Sequence, residues 1–287
     1  MKKNYRSELL ACLGNPVDLN PTGVVEEAAF RACGLNWRFL MLQVAQQDLE
    51  TAFYGCKALG FRGLGITMPH KCTIIPLLDG LTPAAEIIGA VNAVYVRDEQ
   101  WIGDNTDGKG FIGALPEKEA AVRNKHITIL GAGGAARAIA VECALAGASH
   151  ITVINRTETR GLELAQLISN KTQAVGSYLP WTPQIDIPSD TGVLVQATCI
   201  GLSPNAAELP DINYDSILPH MLTADVVFDP AHTEFLRQAE QRGTKTVSGV
   251  DMLVAQAALA FQGWTGMDAP LDMMDTAMRA ELTKQAN

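Results

Sequence analysis

The chain has no stretch of eighteen uncharged apolar residues, so its 287 residues are not expected to include a membrane-spanning helix. Its opening segment, MKKNYRSELL, carries two lysines with no long apolar core behind them. That is not the pattern of a secretory signal, and a cytoplasmic protein is expected. No cluster of Lys and Arg interrupts a formal net charge of −9, so a phosphate backbone or an anionic bilayer would be repelled on average. This points away from nucleic acid and membrane and towards a small-molecule ligand. The six cysteines (Cys12, Cys33, Cys56, Cys72, Cys143, Cys199) include no CxxC pair, and no histidine stands at metal spacing. Reduced or buried thiols fit better than a disulfide frame or a metal site. Repeats and low-complexity tracts are also missing. Nothing in the pattern separates a monomer from a homodimer.

What is present suits two medium domains or one large α/β domain: 47% of the residues are hydrophobic, enough for burial to drive folding. In the first hundred residues, apolar runs (LLACL 9–13, WRFLML 37–42, RGLGIT 62–67, AVNAVYV 90–96) alternate with stretches patterned as helices at about 22–33 and 46–59. A second series starts at HITIL (126–130), with further strands expected at ITVIN (151–155), GVLVQAT (192–198), DVVF (225–228) and KTVS (245–248). Helices are expected between them, to about 146, at 157–169 and at 233–241. Continuous β-branched runs between helices indicate parallel strands covered on both faces. Residues 104–125 read as a link, and the chain beyond 249 as helices that add no strand.

HITILGAGGAARAIAVECALAGA (126–148) reads as strand, glycine turn and helix. Gly131, Ala132, Gly133, Gly134 and Ala135 would present free amides and the positive end of a helix dipole, which suits a pyrophosphate. A second strand ends at Asn155, 24 residues after Gly131, where a dinucleotide site selects its cofactor. Asp or Glu there favours NAD. This chain instead has Asn155, Arg156, Thr157 and Arg160, and two guanidiniums favour the 2′-phosphate of NADP, with NAD still possible. The alternative is that Thr157 caps the helix and both arginines are simply solvated. Thr198 and Val226, in the later strand regions, belong to the expected cofactor set.

Three stretches of the first domain end strands in polar groups: GITMPHK (65–71), GAVNAV (89–94) and GDNTDGKGF (103–111). Lys71 and Asp107 facing one site could do proton chemistry, the lysine near the reacting oxygen and the carboxylate orienting it. Taken singly, each also fits a solvated lysine and a turn residue.

These stretches, with GAGGAARA, NRTETR and SGVDMLVAQAALAFQGWTG (248–266), occur in an order and spacing that resemble the shikimate and quinate dehydrogenases over nearly the whole chain. The resemblance implies an α/β protein of two domains. An N-terminal substrate domain, 1–107 completed by helices from 249–287, would face a Rossmann-type NAD(P) domain, 108–248. It further implies Lys71 and Asp107 as the catalytic pair, Thr67, Asn92 and Gln256 as substrate contacts, and Gly249 near the nicotinamide. The expected function is NADP-dependent hydride transfer between a nicotinamide and the ring ketone or alcohol of shikimate or a related cyclic polyol. The pattern departs from the family in the stretch GNPVDLNPTG (14–23). Where relatives carry S-x-S-P to grip a carboxylate, the serine positions read as Asp18 and Asn20, and the tyrosine of a late Y-N-P reads as Phe228. Each hydrogen bond to a charged group contributes about 1.5–3 kcal/mol, so a substrate with a neutral or amine group at that end is expected. Quinate remains an alternative substrate, and Asp18 could instead cap the following helix. A folate-type dehydrogenase on a similar frame fits the motif order less well, and a non-catalytic NADP sensor would have no use for the Lys71/Asp107 pair.

Overall fold

The computed structural model describes residues 5–18 and 20–285. They divide into two compact units: the described residues up to Thr106 together with those from Ala257 onward, and Asp107–Gln256.

The first unit is built on a six-stranded sheet of β1 (Glu8–Gly14), β2 (Trp37–Gln43), β3 (Gly63–Ile66), β4 (Gly80–Leu81), β5 (Ala93–Arg97) and β6 (Gln100–Asp104), in the order β2-β1-β3-β5-β6-β4. α1 (Thr22–Ala32) joins β1 to β2, α2 (Leu49–Ala58) joins β2 to β3, and α3 (Pro83–Ile88) precedes β5. β1 is parallel to β2 and β3, while β5 is antiparallel to β3 and β6. The last five residues of β1 and all four of β3 are buried, as expected of strands covered on both faces. Leu13, Phe53, Leu64, Ile74, Val94 and Trp101 form the core on this sheet.

In the second unit, α4 (Thr106–Ala114) leads into a six-stranded parallel sheet. Its strands are β7 (His126–Leu130), β8 (His150–Asn155), β9 (Val175–Pro180), β11 (Thr191–Gln196), β13 (Leu222–Asp225) and β14 (Lys245–Val247). β10 (Ile185–Asp186) and β12 (Ile212–Asn213) pair separately, and α5 (Gly134–Leu145), α6 (Glu158–Lys171) and α7 (Glu234–Gln241) are the crossovers. The order β14-β13-β11-β7-β8-β9 reverses its direction of growth between β7 and β11. That reversal is the topological switch point of a doubly wound sheet, where ligands bind at the carboxyl ends of the strands.

α8 (Gly249–Thr265) and α9 (Leu271–Gln285) end the described chain. The later part of α8 belongs to the first unit: Phe261 stacks on Phe30 at 5.8 Å between ring centroids, and the Trp264 Nε1–H donates to the Val94 carbonyl at 3.0 Å. Among the described residues, no helix is long and apolar enough to cross a membrane, and no group of His, Cys, Asp and Glu is arranged to hold a metal.

The structure adds to or departs from the sequence pattern in four places. Residues 104–125 are not a plain link, since they contain α4 and a short 3₁₀ turn at Lys118–Ala121. β6 was not anticipated because its hairpin turns on Asp98 and Glu99, at φ 49° and 63°. This is a two-residue left-handed turn without the Asn-Gly or Asp-Gly signal that normally marks one. β9, VGSYLP, is a partly exposed strand that the apolar pattern did not mark, its Gly and Pro being unusual within a strand. The strand expected at DVVF lies earlier, as LTAD (222–225), because buried Thr223 and Asp225 broke the apolar pattern.

Candidate active site

In the first unit, one sheet edge gathers the carboxyl ends of β1, β3 and β6 and the start of β5. Thr67 N–H donates to the Leu13 carbonyl at 3.0 Å, Ile66 N–H to Asn92 O at 2.8 Å, Asn92 N–H to Asp104 O at 3.0 Å and Val91 N–H to Lys71 O at 2.8 Å. Four separate segments are thereby held in one backbone net, with Thr67, Lys71 and Asn92 on it. Thr67 and Lys71 are half-buried and Asn92 is buried. Burial pushes the Cys12 thiol of β1 up to about 12 while the Lys71 charge pulls the other way, so the ammonium lies within electrostatic reach of β1. The turn carrying Lys71 is anchored by buried His70, whose Nε2 lies 2.8 Å from the Val44 carbonyl.

Asn92 does more than line this edge. Its Oδ1 accepts the Thr106 backbone N–H at 2.7 Å, and its Nδ2 donates to Thr106 Oγ1 at 3.0 Å. Thr106 is the first residue of α4, so Asn92 accepts the amide of the residue that precedes Asp107 on that helix. Asp104 supports the same turn, accepting from Thr82 Oγ1 at 2.5 Å and from Asn105 N–H at 2.8 Å. Within the second unit, a Cβ placed on Gly110 would come 2.5 Å from the Cβ of Gln256, so Gln256 packs one turn from Asp107.

In the opening loop, Asn20 and not Asp18 serves the helix: Asn20 Oδ1 accepts the Thr22 backbone N–H at 3.0 Å. The capping role considered for Asp18 is therefore taken by its neighbour. Asp18 is exposed, and with Asn20, Glu27, Arg31, Phe39 and Glu281 it lines a crevice of about 500 Å³. Thr67, Lys71 and Asn92 are not among the walls of that crevice. A residue the sequence reading passed over is Thr22, half-buried at the start of α1, whose hydroxyl makes no hydrogen bond among the described residues. The repeated spacing of Asn20 and Thr22 around Pro21 was the available signal.

The second unit presents a cradle at its switch point. Gly131 has φ +110°, and a Cβ on it would lie 2.9 Å from both Ala197 O and Thr198 Cγ2. Only glycine fits between the ends of β7 and β11 there. Exposed Gly133 precedes α5 in extended conformation, with Ala132 and Ala135 partly buried beside it. At the end of β8, Asn155 Nδ2 donates to Thr157 O at 2.8 Å, and Thr157 makes no side-chain cap to α6. Arg156 and Arg160 are exposed, with no ion pair or hydrogen bond among the described residues. The capping alternative for Thr157 therefore does not hold, and both guanidiniums are free for an anion. Further along, a Cβ on Gly249 would meet Val227 O at 2.3 Å and Val226 O at 2.6 Å, so the start of α8 sits directly on the loop after β13, which also carries half-buried Phe228. These features accommodate a dinucleotide: a backbone cradle for its pyrophosphate and unpaired cations where a 2′-phosphate would lie.

Sequence reasoning also missed Gln196 and Asp225, buried at the ends of β11 and β13. Burial raises the Asp225 carboxyl to about 6, against the lowering effect of hydrogen bonds from Thr233 and Val227.

Three family models match: "Shikimate dehydrogenase substrate binding domain" over residues 12–94, "Shikimate / quinate 5-dehydrogenase" over 114–180 and "Shikimate 5'-dehydrogenase C-terminal domain" over 249–279. A curated relative from Desulforamulus reducens, named shikimate dehydrogenase (NADP(+)), is 38% identical over 285 residues, covering 98% of each chain. Among solved structures, the ligand-free 5-ketofructose reductase of a Gluconobacter species superposes with a TM-score of 0.93 at 38% identity, over 96% of this chain and 99% of that one. Shikimate 5-dehydrogenase from Listeria monocytogenes, in complex with shikimate and NAD, gives a TM-score of 0.89 at 30% identity, over 96% and 98%.

Proposed function

Because this chain belongs to the shikimate and quinate dehydrogenase family, we propose that it is an NADP-dependent oxidoreductase interconverting a ketone and a secondary alcohol on a polyhydroxylated substrate. Two built features, one in each unit, support the reading. One is the glycine cradle at the β7/β11 switch point with free Arg156 and Arg160 beyond it. The other is the net holding Thr67, Lys71 and Asn92. NADP, when bound, supplies or accepts the hydride. The chain's own work is on the proton and on orientation. Lys71 gives its proton to the carbonyl oxygen as that oxygen gains charge, and takes one back in the reverse direction. Asp107 is the proposed second member of the proton-handling pair. Thr67, Asn92 and Gln256 are the proposed substrate contacts, and Thr198, Val226 and Gly249 would help hold the cofactor.

On the substrate, the opening loop favours a neutral polyhydroxy ketone over a ring carboxylate. Asn20 Oδ1 is committed to Thr22 N–H and Asp18 is exposed, so the loop presents a carboxylate beside an amide with one acceptor position already used. A second carboxylate brought near Asp18 is disfavoured, whereas hydroxyls can both donate and accept there. The 38% identical reductase named for 5-ketofructose, an uncharged sugar ketone, is consistent with that preference. The names of the curated relatives favour 3-dehydroshikimate and shikimate as the second reading. Following nicotinamide absorbance with purified protein, NADPH or NADH, and a panel of neutral and carboxylated ketones tests both. Absence of turnover with every member would remove the enzymatic reading.

A further inference from the structure

We infer that Gln196 and Asp225 are positioning residues for the cofactor: a buried carboxamide–carboxylate strut that fixes the two loops flanking the switch point. The inference rests on the NADP reading above and assigns work to residues that touch neither cofactor nor substrate.

Gln196 ends β11 and Asp225 ends β13, and they are register partners in the parallel ladder. Both are fully or almost fully buried, at 0% and 2% exposure. Gln196 uses every hydrogen-bonding position of its amide. Oε1 accepts from Thr198 N–H at 2.6 Å and Thr198 Oγ1 at 2.7 Å, while Nε2 donates to Ile200 O at 3.0 Å and Asp225 Oδ1 at 3.2 Å. Asp225 then reaches the other loop: Oδ1 accepts Val227 N–H at 2.9 Å and Oδ2 accepts Thr233 Oγ1 at 2.6 Å. Backbone geometry continues the link, with Val226 N–H donating to Gln196 O at 2.9 Å.

A strand end in a parallel sheet needs only its ladder bonds. Here, two long polar side chains are buried in addition, and their bonds are spent on the loops carrying Thr198 and Val226. A fully satisfied buried network fixes one arrangement of its members, because each alternative leaves a donor or acceptor orphaned. Thr198 is also the side chain against which Gly131 closes, so the strut sets the width of the pyrophosphate cradle as well as the loop that Gly249 rests on.

The test reads NADP dissociation constants by titration, alongside kinetics. Gln196→Ala is expected to weaken NADP roughly tenfold or more, raising KM for NADP while kcat at saturating NADP stays within about threefold. Asp225→Asn keeps the shape and the acceptor facing Val227, and should bind NADP within about threefold of the parent. Gln196→Glu is isosteric and sets a second carboxylate against Asp225. Its NADP affinity should be poor at pH 8, and the gap to the parent should narrow at pH 5.5, where the two carboxyls can share a proton. Tyr214, an ionisable neighbour of Asp225, is raised by burial and stays neutral across that range. If Gln196→Ala does not fold, the isosteric Gln196→Glu carries the test. NADP constants within twofold of the parent for Gln196→Ala or Gln196→Glu at both pH values, with only thermal stability lowered, would overturn the strut while leaving the NADP reading intact. A parent protein that binds no NADP overturns the functional reading and the strut's cofactor role with it.

Discussion

Asn92 holds Thr106 at two points, 2.7 Å from Oδ1 to the backbone N–H and 3.0 Å from Nδ2 to Oγ1, and so ties the start of β5 to the first residue of the helix bearing Asp107. Asn92→Ala removes both of these bonds. A stability loss of about 1–2 kcal/mol is expected, together with a fall in kcat larger than Asn92's own substrate contact would produce, because Asp107 is no longer fixed. Asn92→Asp retains the acceptor and should recover most of the stability but less of the turnover. Urea melts and steady-state kinetics on the two variants separate these effects; equal loss of turnover and stability in both would point to a purely structural side chain.

Lys71→Ala and Asp107→Ala should each lower kcat by about 10²–10⁴, the usual range for a positioned acid or base, with NADP dissociation constants unchanged. Single-turnover measurements with NADPH would expose a dispensable residue as one whose removal leaves the chemical step at its original rate.

Arg156 and Arg160 stand free beyond β8. Arg156→Ala is expected to reduce the preference for NADP over NAD by about tenfold, mostly through weaker NADP binding. Titration of both cofactors decides the matter, and an unchanged ratio would move the 2′-phosphate elsewhere.

Much of this arrangement was legible in the sequence because it depends on local rules. HITIL followed by GAGG marks β7 and its turn, since β-branched residues favour a strand and glycine tolerates the positive φ that Gly131 adopts. What stayed hidden depends on partners far along the chain. β6 follows a hairpin turn made by Asp98 and Glu99 in a left-handed conformation that neither residue advertises. β13 is disguised because Asp225, buried through Gln196, Val227 and Thr233, reads as a surface residue. Asn20 was expected to meet a ligand, but half of its amide is spent on Thr22, which no one-dimensional pattern announces.

The Asp225 carboxyl also has a signature in stability. Burial raises its folded pKa to about 6 from the ordinary 3.8. The folded state therefore holds a proton that the unfolded chain has released between those values, and the contribution present below about 4 is lost as pH rises to about 6. Asp225→Asn removes this loss. Its stability advantage over the parent should grow from pH 4 to pH 6 and level off above, reaching at most about 3 kcal/mol. Thermal melts at a series of pH values check this; an advantage that shrinks over that interval would mean the carboxyl is not raised.

This member of the family is proposed to take a neutral polyhydroxy ketone because its opening loop does not favour a carboxylate. The direct measurement is kcat/KM with NADPH for 3-dehydroshikimate and for 5-ketofructose, in the parent and in Asp18→Ser combined with Phe228→Tyr. The account predicts that the parent prefers the neutral ketone by at least about tenfold, and that the double variant raises kcat/KM for the carboxylated ring by about an order of magnitude, with a smaller change for the neutral one. Efficient turnover of 3-dehydroshikimate by the parent, with no gain in the double variant, would contradict it.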